Sequence, residues 1–380
     1  MVLIFADHYL PGFKFGGPIK SIANFVENFS DDFEFRIVTR DRDFGDTLRY
    51  PSVTPGKWMR AGRGHALYLD PSEQTLRRIA LIMQETTHDV VYLNSFFSPR
   101  FTILPLLAQW LGMAPRQQVI MSPRGELSAG ALQLKLFKKR AYVLAAKACG
   151  IYDHAIWKAS TDFEANDIRA VFGPKTRVVV ASDLPHFQQV KPPNPQRKSG
   201  QPLRVIFLSR ISPMKNLSFA LQVLAQVRVP VDFSIIGPVS DQAYWTECQN
   251  LMAAIPNHIN INYLGAVSPA NVQNCIAEND LFFLPTLGEN FGHVIIEALA
   301  AGTPTLISDR TPWQDLALAR CGWTASLENP YFFVAQIEAL YSESPQKLNA
   351  RRKAAFLYAQ SYMQKNMLGK KIINLFKNFL

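Results

Sequence analysis

Short, β-rich apolar runs recur along the whole chain, and helix-like stretches fall between them. A strand that reads as continuous Val, Ile, Leu and Phe is buried on both faces, which is the condition of a parallel sheet covered by crossover helices. In the second half the runs are Arg204–Leu208, Asp232–Ile236, Ile259–Leu264, Leu281–Pro285, Thr305–Ser308 and Gly322–Ala325. Helices are predicted between them, over Leu217–Val227, Ala243–Ala254 and Val294–Ala300. The first half repeats the plan less cleanly. Its strands are predicted at Val2–Phe5, Phe35–Thr39, Val90–Asn94, Gln118–Met121, Ala155–Lys158 and Arg177–Val180, and its helices at Ile19–Phe29, Glu73–Glu85 and Ala131–Ala148.

Residues 185–202 carry five prolines among polar filler and divide the chain nearly in half, as a linker would. A length of 380 residues suits two domains. The expectation is an α/β chain of two Rossmann-like domains, their parallel sheets facing across a cleft. Residues 1–190 form the first domain and residues 203–360 the second. Residues 361–380 form a terminal helix that packs back on the first.

Composition removes several classes. With 48% hydrophobic and 18% charged residues the chain is core-forming, neither disordered nor collagen-like. Its four cysteines, Cys149, Cys248, Cys275 and Cys321, are scattered, with neither a disulfide framework nor a metal-binding spacing, which points to a reducing, cytoplasmic setting. The apolar start ends at Asp7 without a preceding base, unlike a signal peptide. The most apolar stretch, Phe101–Met113, is interrupted by Pro105 and Gln109, so no membrane-spanning helix is expected. The net charge of +10 is uneven. Residues 100–150 hold eight bases and one acid, residues 201–350 seven bases and twelve acids, and residues 351–380 seven bases and no acid. That is no uniform nucleic-acid surface, and no RNA- or DNA-binding motif accompanies it.

Ligands of open α/β sheets bind where strands end, so the loops after strands carry the chemistry. After the first strand, Gly16-Gly17-Pro18 leads at once into a helix. Paired glycines let backbone amides approach an anion closely, although taken alone the loop reads better as a plain tight strand-to-helix turn. After the strand at 204–208 come Arg210 and Lys215, a fork and a point charge suited to a diphosphate, or a solvated basic turn. The most informative loop runs through Gly288, Glu289, Asn290, Phe291, Gly292, His293 and Val294 into an apolar helix containing Glu297. A carboxylate on such a helix needs a partner: the vicinal hydroxyls of a ribose, or a structural Arg or Lys. Amides at the helix start, Phe291 to Val294, suit an anion or sugar hydroxyls.

Taken in order, these loops resemble the retaining family 4 glycosyltransferases of the GT-B fold. Glu289 and Glu297, eight residues apart with Phe291-Gly292-His293-Val294 between them, match that family's signature, and Arg210 with Lys215 matches its basic motif. Ile235-Ile236-Gly237-Pro238 and Tyr263-Leu264-Gly265-Ala266-Val267 resemble further family segments. The likeness is good over 203–325. It is weak in the first half, through Gly16-Gly17-Pro18 and Ser122-Pro123-Arg124-Gly125-Glu126. Two departures are plain. Arg124 stands in a loop where relatives often carry His, and Ala181-Ser182-Asp183 replaces a usual Pro-Asn-Gly.

The resemblance implies transfer from a nucleotide diphosphate sugar, UDP-sugars being commonest, to a saccharide or lipid-linked saccharide, with retention. It implies Arg210, Lys215 and Glu289 in catalysis. The donor would be held by Gly16, Gly17, Arg210, Lys215, Gly237, Val267, Glu289, Asn290, Phe291, Gly292, His293, Val294 and Glu297. Glu297 would take the ribose and Glu289 the donor sugar. His8 and Arg124 are acceptor-side candidates, Arg124 alternatively a structural ion pair. No cofactor and no metal are expected: the only Asp-x-Asp pair, Asp41 and Asp43, reads as a solvated loop, and the other histidines lack metal-ligand spacing. An epimerase of the same fold and a non-catalytic sugar-nucleotide binder remain alternatives. The setting implied is bacterial surface polysaccharide or lipopolysaccharide synthesis in the cytoplasm, peripheral on the inner membrane. Lys135, Lys138, Lys139 and Arg140 are expected to hold the protein to that anionic surface.

Overall fold

The computed structural model describes residues 1–133, 136–184, 200–366 and 369–379. Most of the proline-rich linker, and Lys135, lie outside them. The chain divides into two compact units: residues 1–184 with 368–380, and residues 185–367.

The first unit runs β1 (Val2–Ala6), α1 (Gly17–Phe29), β2 (Phe35–Arg40), β3 (Trp58–Ala61), β4 (Gly64–Leu69), α2 (Leu76–Glu85), β5 (Val90–Asn94), α3 (Leu104–Trp110), β6 (Gln118–Ser122), α4 (Ala129–Gln133), α5 (Leu136–Ala148), β7 (Ile156–Ala159), α6 (Asp162–Phe172) and β8 (Val178–Val180). These strands make one sheet in the order β3-β4-β2-β1-β5-β6-β7-β8. All neighbours are parallel except β3 and β4. Alternate residues of β1 feed two cores. Leu3 and Phe5 pack in one and Val2, Ile4 and Ala6 in the other, so the sheet is covered on both faces. Helix starts follow the usual chemistry: the Thr75 hydroxyl accepts from Arg78 N at 3.3 Å to open α2, and Thr161 from Glu164 N at 3.2 Å to open α6.

The second unit runs β9 (Leu203–Leu208), α7 (Leu217–Leu224), β10 (Val231–Ile236), α8 (Gln242–Ala253), β11 (Ile259–Tyr263), α9 (Pro269–Ala277), β12 (Leu281–Leu284), α10 (His293–Ala300), β13 (Thr305–Ser308), β14 (Gly322–Ala325), α11 (Pro330–Ser342) and α12 (Pro345–Asn366). Its sheet, ordered β11-β10-β9-β12-β13-β14, is parallel throughout. A last helix, α13 (Lys370–Lys377), belongs to the first unit. There Phe376 packs 4.9 Å from the Phe25 ring and 5.3 Å from Tyr92.

In the second unit the strand order reverses direction between β9 and β12. Such a switch point leaves a crevice beyond the carboxyl ends of the two strands. A buried charge cluster fixes the pair at their other end. Asp280, fully buried just before β12, accepts from Arg204 Nε at 3.0 Å and Nη2 at 2.8 Å, and from Arg352 Nη2 of α12 at 3.2 Å.

Candidate functional site

The loops leaving β9 and β12 are stitched to each other before any functional side chain is considered. After β9, residues 213–215 make one tight turn and Asn216 takes the left-handed conformation, φ 57°. That geometry aims the Asn216 amide at Pro285 O, 2.9 Å away. Met214 O accepts from Leu287 N and from the Thr286 hydroxyl, both at 2.9 Å. The consequence is that Lys215 Nζ rests on Glu289 Oε1, an ion pair joining residues 74 apart in sequence. The two side chains are only 15% and 12% exposed, and the backbone of Glu289 is fixed by its amide donating to Arg310 O at 3.0 Å. Arg210 is partly buried in the same loop. Burial pulls its guanidinium below the usual arginine range, and the charge of Glu289 works against that pull. A guanidinium stays protonated regardless, so part of the desolvation cost of holding an anion is already met in the fold. Two cations against one carboxylate leave the loop pair net positive, and an ammonium that holds one carboxylate oxygen still has two further N–H donors.

Gly237 shapes this site from β10. Its φ is 144°, and a Cβ there would lie 1.9 Å from Ser209 O, so only glycine lets the start of the Arg210 loop pass so close. Gly237→Ala is therefore expected to displace residues 209–211, lowering stability by about 2 kcal/mol or more and weakening nucleotide binding. Thermal melts with and without nucleotide check this. An unchanged melt and unchanged binding would contradict it.

Gly292 opens α10 in the left-handed region, φ 78°, and no side chain caps the helix there. The helix start is held from outside: Trp313 Nε1 donates to Phe291 O at 2.6 Å. His293 packs 4.7 Å from the Phe291 ring. Glu297 is 8% exposed, one turn beyond His293 on the same face. Asn290 and Val294 flank this start, both partly buried. Val267 lies beyond β11, two strands from β9, and packs on the core. Gly265, in the same loop, accepts from Gly237 N at 2.8 Å.

In the first unit, Gly16 caps α1 with φ 74° and Gly17 begins the helix, with Pro18 in its first turn and no side-chain cap. His8 follows β1. It is buried, 4.8 Å from the Phe15 ring and 5.9 Å from Phe44. Burial pulls its imidazole below the usual value, while Asp7, Asp43 and the Arg42 backbone resist that shift and Arg40 adds to it. Arg124, φ 57°, is enclosed in a buried network. It pairs with Asp183 and donates to Tyr92 Oη at 3.0 Å and Asn94 Oδ1 at 2.7 Å. Asp183 also accepts from Lys158 Nζ and the Ser21 hydroxyl, each at 2.7 Å. The guanidinium is thus engaged as a structural ion pair, the alternative its position left open.

The Asp41–Asp43 segment departs from the solvated loop that its sequence predicts. Asp41 and Asp43 are buried, not solvated. Asp43 accepts from the amides of Phe13 at 2.8 Å, Lys14 at 3.2 Å and Phe44 at 2.8 Å, so it holds the loop that leads into Gly16. Asp41 pairs with Arg42 at 2.8 Å. Among the described residues no group of three or more His, Cys, Asp or Glu is placed to hold a metal ion, and no helix is long and apolar enough to cross a membrane. Sequence reasoning overlooked Asn216, Thr286 and Trp313. Of these only Asn216 carried a signal, because asparagine tolerates the left-handed conformation a turn requires.

Two sheets of mostly parallel strands, one in each unit, place the chain in the GT-B class of fold. Residues 190–356, which lie within the second unit, match the model of the family described as glycosyl transferases group 1. An uncharacterized 41.2 kDa protein in the cps region of Klebsiella pneumoniae is 22% identical over 302 residues, 77% of this chain and 79% of that protein. A phosphatidyl-myo-inositol mannosyltransferase of Mycobacterium leprae is 32% identical over 110 residues, 28% of each chain. Among solved structures, Anabaena HepE in complex with UDP and glucose superposes with TM-score 0.71 at 16% identity over 99% of both chains. A sucrose-phosphate synthase from Thermosynechococcus elongatus superposes with TM-score 0.75 at 13% identity, covering 99% of this chain and 98% of that one.

Proposed function

We propose that this chain is a retaining glycosyltransferase that takes a sugar from a nucleotide diphosphate sugar, with UDP-sugars favoured, and passes it to a saccharide or lipid-linked saccharide. The observation that carries the reading is the Arg210, Lys215 and Glu289 group at the β9–β12 switch point, held by loops that brace each other. In this reading Arg210 and Lys215 hold the diphosphate and neutralise the charge it gains as it leaves. Glu289 and the amides of residues 290–294 hold the donor sugar, and Glu297 takes the ribose hydroxyls. In the first unit the α1 start at Gly16 and Gly17 is a further anion contact, and His8 lies on the acceptor side. The reaction needs no protein nucleophile. The bond from the anomeric carbon to the phosphate oxygen breaks, the acceptor oxygen bonds that carbon on the same face, and the acceptor proton passes to the leaving phosphate. Charge stabilisation comes from fixed cations and helix amides, without a metal.

Support for a donor of this kind comes from the family match of the second unit and from the nucleotide in the HepE structure. Support for a role in cell-surface polysaccharide synthesis, in the cytoplasm at the inner membrane, comes from the cps-region relative and from the lipid named in the mannosyltransferase. A panel of nucleotide sugars, screened for thermal stabilisation and for hydrolysis with and without chelator, tests the reading. One base is expected to stabilise strongly and one sugar to turn over slowly without acceptor, with chelator making no difference. An epimerised donor would instead support the epimerase alternative, and no stabilisation by any nucleotide sugar would overturn the assignment.

A further inference from the structure

Helix α5 turns its most apolar side outward. Phe137 is 88% exposed and Leu144 67%, and Ala141, Ala145 and Ala148 are exposed with them. At 3.6 residues per turn these five share one face. The opposite face is the one that packs: Ala146 is buried, and Tyr142 and Val143 lie half-buried against the first unit's core. Cations flank the outward stripe on both sides, Lys138 on one and Arg140 with Lys147 on the other. All three are exposed, although the Lys147 ammonium also sits 5.6 Å above the Phe172 ring, and α5 contains no acid.

This differs from the basic cluster expected from sequence. Lys139 turns inward, its Nζ 2.7 Å from Ala131 O and 4.9 Å from the Phe97 ring centre. Lys135 lies outside the described residues. Lys138 and Arg140 keep the outward position expected of them, and Lys147 joins them.

We infer that α5 is a docking helix for an anionic lipid bilayer. It lies flat in the interface, with Phe137 and Leu144 among the upper acyl carbons and Lys138, Arg140 and Lys147 at the headgroup phosphates. An apolar stripe bordered on both sides by cations is the arrangement that an anionic interface recognises. An acidic protein would call for more cations and fewer exposed apolar tips. The inference deepens the lipid-linked reading of the acceptor and depends on it only for its purpose.

The test uses the full chain and vesicles of phosphatidylcholine, with or without about 30% phosphatidylserine, in low salt of about 50 mM. The protein is expected to co-sediment with the anionic vesicles and far less with the neutral ones. Phe137→Ser with Leu144→Ser should lower the bound fraction about tenfold or more. Lys138→Glu with Arg140→Glu and Lys147→Glu should abolish binding, as should about 0.5 M salt. Both variants are expected to keep the wild-type circular dichroism and the same thermal shift with nucleotide, which shows them folded. Failure to sediment with anionic vesicles, or equal sedimentation of all variants, overturns the proposal. So does self-association that Phe137→Ser abolishes, since the stripe would then cover a second copy. Vesicle binding without transfer to any lipid-linked acceptor would leave the docking helix standing and refute the acceptor reading alone.

Discussion

Lys215→Ala and Glu289→Ala are each expected to lower the rate of glycosyl transfer about a hundredfold or more, the cost of removing one charged contact to the transition state, about 2–4 kcal/mol. Because the two side chains form one ion pair, each single substitution also strands the other charge in a partly buried place. Two consequences follow. The double variant is expected to be no slower than the worse of the singles, since residues that act as a unit do not add. The stability loss of each single should stay modest, at most about 2 kcal/mol, because the pair is not fully buried. Transfer kinetics of the three variants, with unfolding curves beside them, decide the matter. A full rate in either single variant would remove Lys215 and Glu289 from the mechanism.

Asp280→Ala is expected to cost about 3–5 kcal/mol of stability, the largest loss of any single substitution considered, although Asp280 touches no candidate ligand contact. Its carboxylate is fully buried between Arg204 and Arg352, and Arg352 is itself only 3% exposed. Without the acid, the buried guanidinium of Arg352 would face the half-buried one of Arg204 with no carboxylate between them. Asp280→Asn should lose less, because an amide keeps an acceptor for one arginine. Urea unfolding measures both, and a loss under about 1 kcal/mol for the alanine variant would show the cluster to be dispensable. Since Arg204 precedes β9's exit loop and Asp280 precedes β12, loosening them is also expected to weaken nucleotide binding at the far end of those strands.

The second unit was legible in sequence because its strands are buried on both sides. All six expected strands appear within about a residue of their observed ends, because continuous apolar runs have a single explanation there. The β3–β4 hairpin was not legible. Its first strand, β3, lies at the sheet's edge with Arg60 facing solvent, and its turn is only Gly62 and Arg63, whereas the buried run Ala66–Leu69 of β4 has the apolar continuity of the other strands. Helix α6 was missed although Thr161, Asp162 and Glu164 mark its start. At the candidate site, Arg210, Lys215, Glu289 and Glu297 could be named because each follows a legible strand or sits on a legible helix. What joins them could not be read. Nothing local marks Asp43 as buried, because the Phe13 and Lys14 amides it accepts from lie about thirty residues earlier in the chain. Arg124's partners likewise come from Tyr92, Asn94 and Asp183, so whether it pairs inside the fold or meets a ligand depended on tertiary contacts that no local pattern encodes.

The helix α13 carries a consequence for how the protein is made. Residues 1–184 leave the ribosome first, yet their core includes Ile372, Leu375 and Phe376. The half that is synthesised first is therefore the last to be completed. It must wait, with Phe25, Phe33 and Tyr92 incompletely covered, while the whole of the second unit is translated. That interval exposes apolar surface to chaperones and to neighbouring chains, and a ribosome that stalls after residue 366 would release a chain whose flaw lies at the opposite end from the break.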